Sequence, residues 1–338
     1  MPRIVLSLIA KYKDCPASAG SSPRDKFRRL SALSDLIVSG DARAIARGIS
    51  VVESAGEEGP ALVREIYPQS GGAFLVGVTG APGAGKSTLV DGLVSRWRRA
   101  GKTVGVIAVD PTSPFSGGAM LGDRVRMQAH AQDGGVFIRS MATRGHLGGL
   151  ARATADAALV LDAAGKDFVT IETVGVGQDE VEVARTADVS IVVLVPGMGD
   201  DVQALKAGVM EIADVFAVNK SDREGADRTV AEVDSLLSLQ TYGEREWRPP
   251  IVSTRATDGH GLDDLIEQID RFRGQTALIA SRRRARAATQ LQSIIADRLQ
   301  RQVESRIAGA ELARLIDRIA ARTIDPYTAA SEILRRPS

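Results

Sequence analysis

From Ala73 onward the chain alternates short apolar runs with longer stretches of mixed polarity. The runs are AFLVGV (73–78), TVGVIAV (103–109), VFIR (136–139), DFVTIE (167–172), VSIVVLV (189–195), VFAV (215–218) and PIVS (250–253). They are rich in Val and Ile and lack clean alternation of apolar and polar positions. Strands covered on both faces read this way, and helical crossovers between them predict a parallel sheet. The expected fold class is α/β, a doubly wound and mostly parallel sheet, with ligand at the carboxyl ends of the strands.

The period differs at both flanks. Leu30, Leu33, Leu36 and Ile37 recur at helical spacing, Gly40-Asp41 interrupts them, and Ile45, Ile49 and Val52 resume the pattern. About three helical segments are predicted between Phe27 and Ile66, closed by Pro68 and Gly71-Gly72. After Arg273 the strands stop. Leu291, Ile294, Ile295, Leu299, Val303 and Ile307 mark one helical face, and Leu312, Leu315, Ile316 and Ile319 mark another. Asp325-Pro326 opens a last short helix ending near Leu334. Residues 15–25, CPASAGSSPRD, read as a linker.

Chemistry concentrates at the ends of the predicted strands. Gly80-Ala81-Pro82-Gly83-Ala84-Gly85-Lys86-Ser87 fits G-x-x-x-x-G-K-[ST] between a strand and a helical run opened by Thr88. Such a loop turns its N–H groups onto a polyphosphate, aided by the helix N-terminus. Lys86 would bridge the terminal phosphates, and the Ser87 hydroxyl would ligate magnesium. Asp110 and Glu172 close two strands on the same edge and can supply hard oxygen ligands. Asn219-Lys220-Ser221-Asp222 follows VFAV directly. In N-K-x-D the carboxylate accepts from guanine N1–H and the 2-amine, and the lysine stem lies along the base. Adenine cannot make that pair, so guanine nucleotide, GTP or GDP, is the expected ligand. The backbone of Ser253-Thr254-Arg255-Ala256 is placed to touch the guanine carbonyl.

Composition narrows the partners. Lys+Arg (43) and Asp+Glu (42) nearly cancel to a formal +1, so no global field recruits nucleic acid or membrane. Aromatics at 4% argue against base-stacking surfaces. Cys15 is the only cysteine, which fits a reducing compartment. MPRIVLSLIA is too short to span a bilayer and runs into Lys11, Lys13 and Asp14, so a soluble, cytoplasmic protein is expected. Ser281-Arg282-Arg283-Arg284-Ala285-Arg286 reads as a solvated face opening a helix, and His130, His146 and His260 as surface or loop residues.

With these motifs in place the sequence resembles the MeaB/ArgK family of P-loop GTPases. Five segments carry the resemblance: GVTGAPGAGKSTL (77–89), VDPTSPFSGGAMLGDRVRM (109–127), ETVGVGQDE (172–180), PGMGDDVQALKAGVMEIAD (196–214) and NKSD (219–222). It implies a chaperone for an adenosylcobalamin-dependent acyl-CoA mutase, methylmalonyl-CoA mutase above all, and a homodimer made by a C-terminal arm. It implies that Asp110 and Asp123 lie near magnesium in switch I. Glu172 replaces the Asp of D-x-x-G, and Asp200 and Lys206 belong to a third mobile segment tied to partner and hydrolysis. Val176 stands where Ras-like proteins carry the water-positioning glutamine, so slow turnover accelerated by a partner is expected.

The expected organisation is a poorly ordered leader (1–25), an N-terminal helical segment (26–70), a P-loop GTPase domain (71–274) and a C-terminal helical dimerisation arm (275–338). A metallochaperone-type GTPase is an alternative that predicts a His/Cys cluster. An ATPase or kinase linked to lysine, arginine and ornithine transport is another, and it predicts adenine recognition or a phosphoacceptor.

Overall fold

A computed structural model describes residues 23–54, 56–111, 130, 132–143, 149–173, 183, 185–197, 209–243, 246–307 and 309–334. The leader read as poorly ordered lies outside them, except for Pro23–Asp25. The sequence suggests linker for these three as well, but they open the first helix, where proline's missing N–H is no loss. That helix is α1 (Pro23–Val38), followed by α2 (Ala42–Glu53) and α3 (Glu58–Ile66). Asp41 caps α2 by accepting from Ala44 N at 2.7 Å.

Strands and helices then alternate: β1 (Phe74–Gly80), α4 (Lys86–Arg99), β2 (Val104–Pro111), β3 (Val136–Thr143), α5 (Gly149–Ala163), β4 (Phe168–Thr173) and β5 (Val189–Leu194). After these come α6 (Val209–Ile212), β6 (Val215–Val218), α7 (Ala226–Leu237), β7 (Ile251–Ser253) and α8 (Leu262–Arg273). The seven strands form one sheet in the order β3-β2-β4-β1-β5-β6-β7, and every neighbouring pair is parallel. From β1 the chain winds outward to one edge, returns through β4, and continues on the other side of β1 from β5. The reversal at β1 is where such a sheet opens a ligand crevice.

Alternation along the strands decides what each face buries. Phe74, Val76 and Val78 of β1 and Val189, Ile191 and Val193 of β5 pack on Leu89, Leu93 and Trp97 of α4 and on Leu265, Ile269 and Phe272 of α8. The neighbouring positions face the other way. Val169 and Ile171 of β4 meet Ile45, Ile49, Leu62 and Ile66 of the N-terminal helices and Val160 and Leu161 of α5. Val192, Phe216 and Val218 meet Val233 and Leu237 of α7. Trp97 stacks on Phe168 at 4.3 Å between centroids, fixing α4 over the first residue of β4.

Beyond the sheet run α9 (Thr276–Arg306), α10 (Gly309–Ala320) and α11 (Pro326–Leu334), the last capped by Asp325, which accepts from Thr328 N at 2.9 Å. The base of α9 corrects the reading of the arginine run as a solvated face. Arg282 pairs with Asp214 through two bonds of 2.5 and 2.6 Å. Arg283 and Arg286 both reach Asp188, at 2.8 and 3.2 Å. Asp188 and Asp214 are buried and immediately precede β5 and β6, where their carboxylates also accept from Leu75 N and Ser190 N. A buried carboxylate needs such partners, and positions 282, 283 and 286 share one side of a helix. Of the four, Arg284 is exposed and Arg282, Arg283 and Arg286 are half-buried.

Farther along, Arg152 of α5 pairs with Asp297 of α9 at 2.7 Å. One turn on, burial pushes the Asp156 carboxyl up to about 6, with Arg152 opposing. A raised pKa in the folded state means stability that is full below about pH 4 and is lost as pH rises through about 6. At roughly 1.4 kcal/mol per tenfold, the penalty at neutral pH is at most about 3 kcal/mol. Asp156→Asn is expected to raise the unfolding midpoint at pH 7.5 and leave it unchanged at pH 4, checked by thermal melts at both.

Candidate nucleotide site

The parallel register gathers the strand ends on one edge. Val78 lies beside Glu172, Gly80 beside Val193, Leu194 beside Val218 and Val218 beside Ser253. The glycine-rich loop, the 219–222 segment and the 253–256 segment therefore leave the sheet side by side.

Gly80 ends β1 at φ +139, where a Cβ would stand 2.2 Å from Val193 O, so no other residue fits. Gly85 has φ +89, and its absent Cβ leaves room for the Asn219 amide, which would otherwise be 2.5 Å away. Helix α4 starts at Lys86 and aims its N-terminus into the loop. The buried Lys86 side chain curls back over the loop, donating to Gly80 O at 2.7 Å and Ala81 O at 2.9 Å.

The next residue meets the neighbouring strand. Ser87 Oγ donates to Glu172 Oε1 at 2.7 Å, with both side chains buried. Strand parity explains the meeting. Phe168 packs on the α4 face while Val169 and Ile171 pack on the other, so Glu172 returns to α4. One residue further along, Thr173 Oγ1 donates to Thr79 Oγ1 at 3.1 Å and links the ends of β4 and β1. The backbone of Asp110, the penultimate residue of β2, lies opposite Ala142, two residues past the partner of Glu172. Its side chain, together with Asp123, Asp200 and Lys206, lies outside the described residues.

On the other flank the Asn219 carboxamide bridges three segments. Its Nδ2 donates to Ala84 O at 2.8 Å, and its Oδ1 accepts from Ala256 N at 3.0 Å and Thr254 Oγ1 at 3.3 Å. Lys220 Nζ reaches Gly83 O at 2.7 Å. Lys220 sits at φ +57, a left-handed conformation costing about 1 kcal/mol or more for a side-chain-bearing residue. Bonds on either side impose it: Asn219 N to Leu194 O at 2.7 Å and Ser221 N to Thr254 O at 3.0 Å. Thr88 follows Ser87 in the first turn of α4, Asp222 is exposed, and Arg255 pairs with Asp258. The Ser253–Ala256 backbone thus meets Asn219 and Ser221 directly.

Two features escaped the sequence reading. His130, expected on the surface or in a loop, does lie in the connection between β2 and β3 but is buried, with Nε2 3.1 Å from Asp91 Oδ1 and 3.3 Å from Ser95 Oγ on α4. A cavity of about 610 Å³ lined by Trp247, Arg248, Pro250, Gln268 and Arg271 includes no residue of the glycine-rich loop. It adjoins the start of β7, at the opposite edge of the sheet. Among the described residues no helix is long and apolar enough to cross a membrane.

A phosphate loop at the central strand, a lysine and serine opening its helix, and N-K-x-D two strands away define a P-loop GTPase. Residues 45–308 match the family described as methylmalonyl Co-A mutase-associated GTPase MeaB. A Pyrococcus abyssi (strain GE5 / Orsay) protein whose name places it among GTPases is 51% identical over 301 residues, 88% of this chain and 93% of its own. The GTPase ArgK of Escherichia coli (strain K12) is 40% identical over 253 residues, 72% of this chain and 75% of its own. A crystal structure of a LAO/AO transport system kinase superposes with a TM-score of 0.69 at 25% identity, covering 94% of this chain and 98% of that one. The chain belongs to the MeaB family.

Asn219→Ala would leave Ala84 O and Ala256 N without their partner. It is expected to lower the unfolding free energy by about 1–3 kcal/mol, measured by urea denaturation, although no core side chain is touched.

Proposed function

We propose that the protein binds GTP with magnesium at this edge and couples its hydrolysis to the service of an adenosylcobalamin-dependent acyl-CoA mutase. In this reading the amides of Ala81–Ser87 and Thr88 cradle the phosphates. The Lys86 ammonium exchanges its loop carbonyls for terminal phosphate oxygens, which are stronger partners because they carry charge. The meeting of Ser87 and Glu172 is the main support: a hydroxyl and a carboxylate, both hard oxygen donors, brought together beside the phosphate loop. They fit magnesium, and when bound the ion would neutralise phosphate charge. By the resemblance, Asp110 and Asp123 join them, and Asp200 and Lys206 respond to the partner.

The base is read on the other flank. Lys220, already stretched over Gly83, lays its stem along the ring, and Asp222 accepts from guanine N1–H and the 2-amine. The Ser253–Ala256 backbone closes over the guanine carbonyl. The mutase as partner is supported by the association carried in the family's description. A homodimer is supported by Leu291, Ile295 and Leu299, which stand exposed at four-residue spacing along α9 and form an apolar stripe.

Asp222→Asn is expected to weaken GTP on the order of a hundredfold and to favour xanthosine triphosphate, whose 2-oxo group accepts from the new amide. Calorimetry with both nucleotides reads this, and retained GTP selectivity sinks the base assignment. Methylmalonyl-CoA mutase is expected to co-elute with the protein and to raise its GTP turnover several-fold. Turnover indifferent to the mutase, with no co-elution, counts against the chaperone reading.

A further inference from the structure

We propose that Arg96, outside both the phosphate loop and the N-K-x-D segment, is a positioning residue for recognition of the base; this rests on the guanine-pocket reading above. Arg96 lies on α4, the helix that Lys86 and Ser87 open. Its guanidinium reaches across to the turn after β7. Nη2 donates to Gly259 O at 2.7 Å, and Nε donates to Asp263 Oδ1 at 2.5 Å. The Arg96 side chain is 16% exposed, whereas that of Asp263 is 83% exposed. An ion pair with so exposed a carboxylate contributes little stability. The bond to the Gly259 carbonyl, by contrast, fixes where a backbone segment sits.

The turn is shaped to receive this side chain. Gly259 has φ +82, and a Cβ there would stand 2.8 Å from Arg96 Nη2. Arg255 N donates to His260 O and Gly259 N donates to Arg255 O, both at 3.0 Å, and the Arg255–Asp258 pair braces the same turn. Residues 255–260 are therefore one unit held at two points. At one point Ala256 N is held by Asn219 Oδ1, which the same carboxamide ties to Ala84 of the phosphate loop. At the other, Gly259 is held by Arg96. The contacts close a circuit: Ala84, Asn219, Ala256, Gly259, Arg96, and back along α4 to Lys86. Cut at Arg96, the turn keeps its internal bonds and the packing of Leu262 on Gly92, but its Gly259 carbonyl loses the hydrogen bond that sets its place against α4. The face it offers the base then drifts relative to the phosphate cradle, because positioning tolerances in such sites are below an ångström. Phosphate contacts do not run through Arg96, so the loss should fall on the base.

The test is isothermal titration of the full chain with GTP and with ATP, for wild type, Arg96→Gln, Arg96→Lys and Arg99→Gln. Arg99 is the control, since its guanidinium bonds Ser95 O of its own helix. Arg96→Gln is expected to lower the GTP-to-ATP affinity ratio by about tenfold or more while ATP affinity changes less than about twofold. Arg96→Lys should recover part of the ratio, an ammonium still reaching the Gly259 carbonyl, and Arg99→Gln should match wild type. Should Arg96→Gln not fold, Arg96→Lys carries the test alone and should lower the ratio by about two- to threefold. An unchanged ratio overturns the inference, as does an equal loss for both nucleotides, which marks general loosening. A wild-type protein with no preference for GTP overturns the base-pocket reading and this inference with it, whereas preference kept in the variants overturns the inference alone.

Discussion

One carboxamide joins the two halves of the candidate pocket. Asn219 gives its N–H to the phosphate loop and takes N–H and O–H from the segment after β7, so three chain regions share a single planar group. Side-chain amides suit this use because donor and acceptor are held at a fixed angle and distance. The arrangement also accounts for two backbone peculiarities beside it. Gly85 must lack a Cβ so that the amide can approach, and Lys220 must turn left-handed so that its neighbours keep their bonds. Local strain at a site where the surroundings dictate it is a mark of function in folded proteins.

The other half of the pocket rests on strand parity. A six-residue β4 alternates its faces so that Phe168 anchors Trp97 at one end and Glu172 meets Ser87 at the other, both toward α4. Glutamate in place of a shorter acid reaches the serine from within the sheet. Such a buried hydroxyl–carboxylate contact is costly unless each group satisfies the other or a cation.

Much of this was legible in the sequence. All seven apolar runs became strands, because residues covered on both faces need no partner information to be recognised. The glycine-rich loop and the 219–222 segment were legible because their chemistry is contiguous. What escaped is what depends on distant residues. The Arg282–Arg286 run looks like solvated charge until Asp188 and Asp214, some seventy to a hundred positions earlier, are brought beneath it. His130 gives no local sign that α4 will bury it, and nothing around Arg96 announces a carbonyl 163 residues away. Pro23 looks like punctuation in the sequence, yet at a helix start it is simply a first residue. Periodicity reports which face is covered, not which charge will find which.

The stacked pair Trp97 and Phe168 has a spectroscopic consequence. The chain has two tryptophans, and the other, Trp247, donates its indole N–H to Asp214 O at 2.8 Å beside the foot of α9. Both indoles thus sit at the amino ends of the strands, remote from where a purine would bind. Intrinsic emission from this protein therefore watches the floor of the sheet and the first turns of α9, and a ligand seated at the far rim becomes visible to it only if the frame between them shifts.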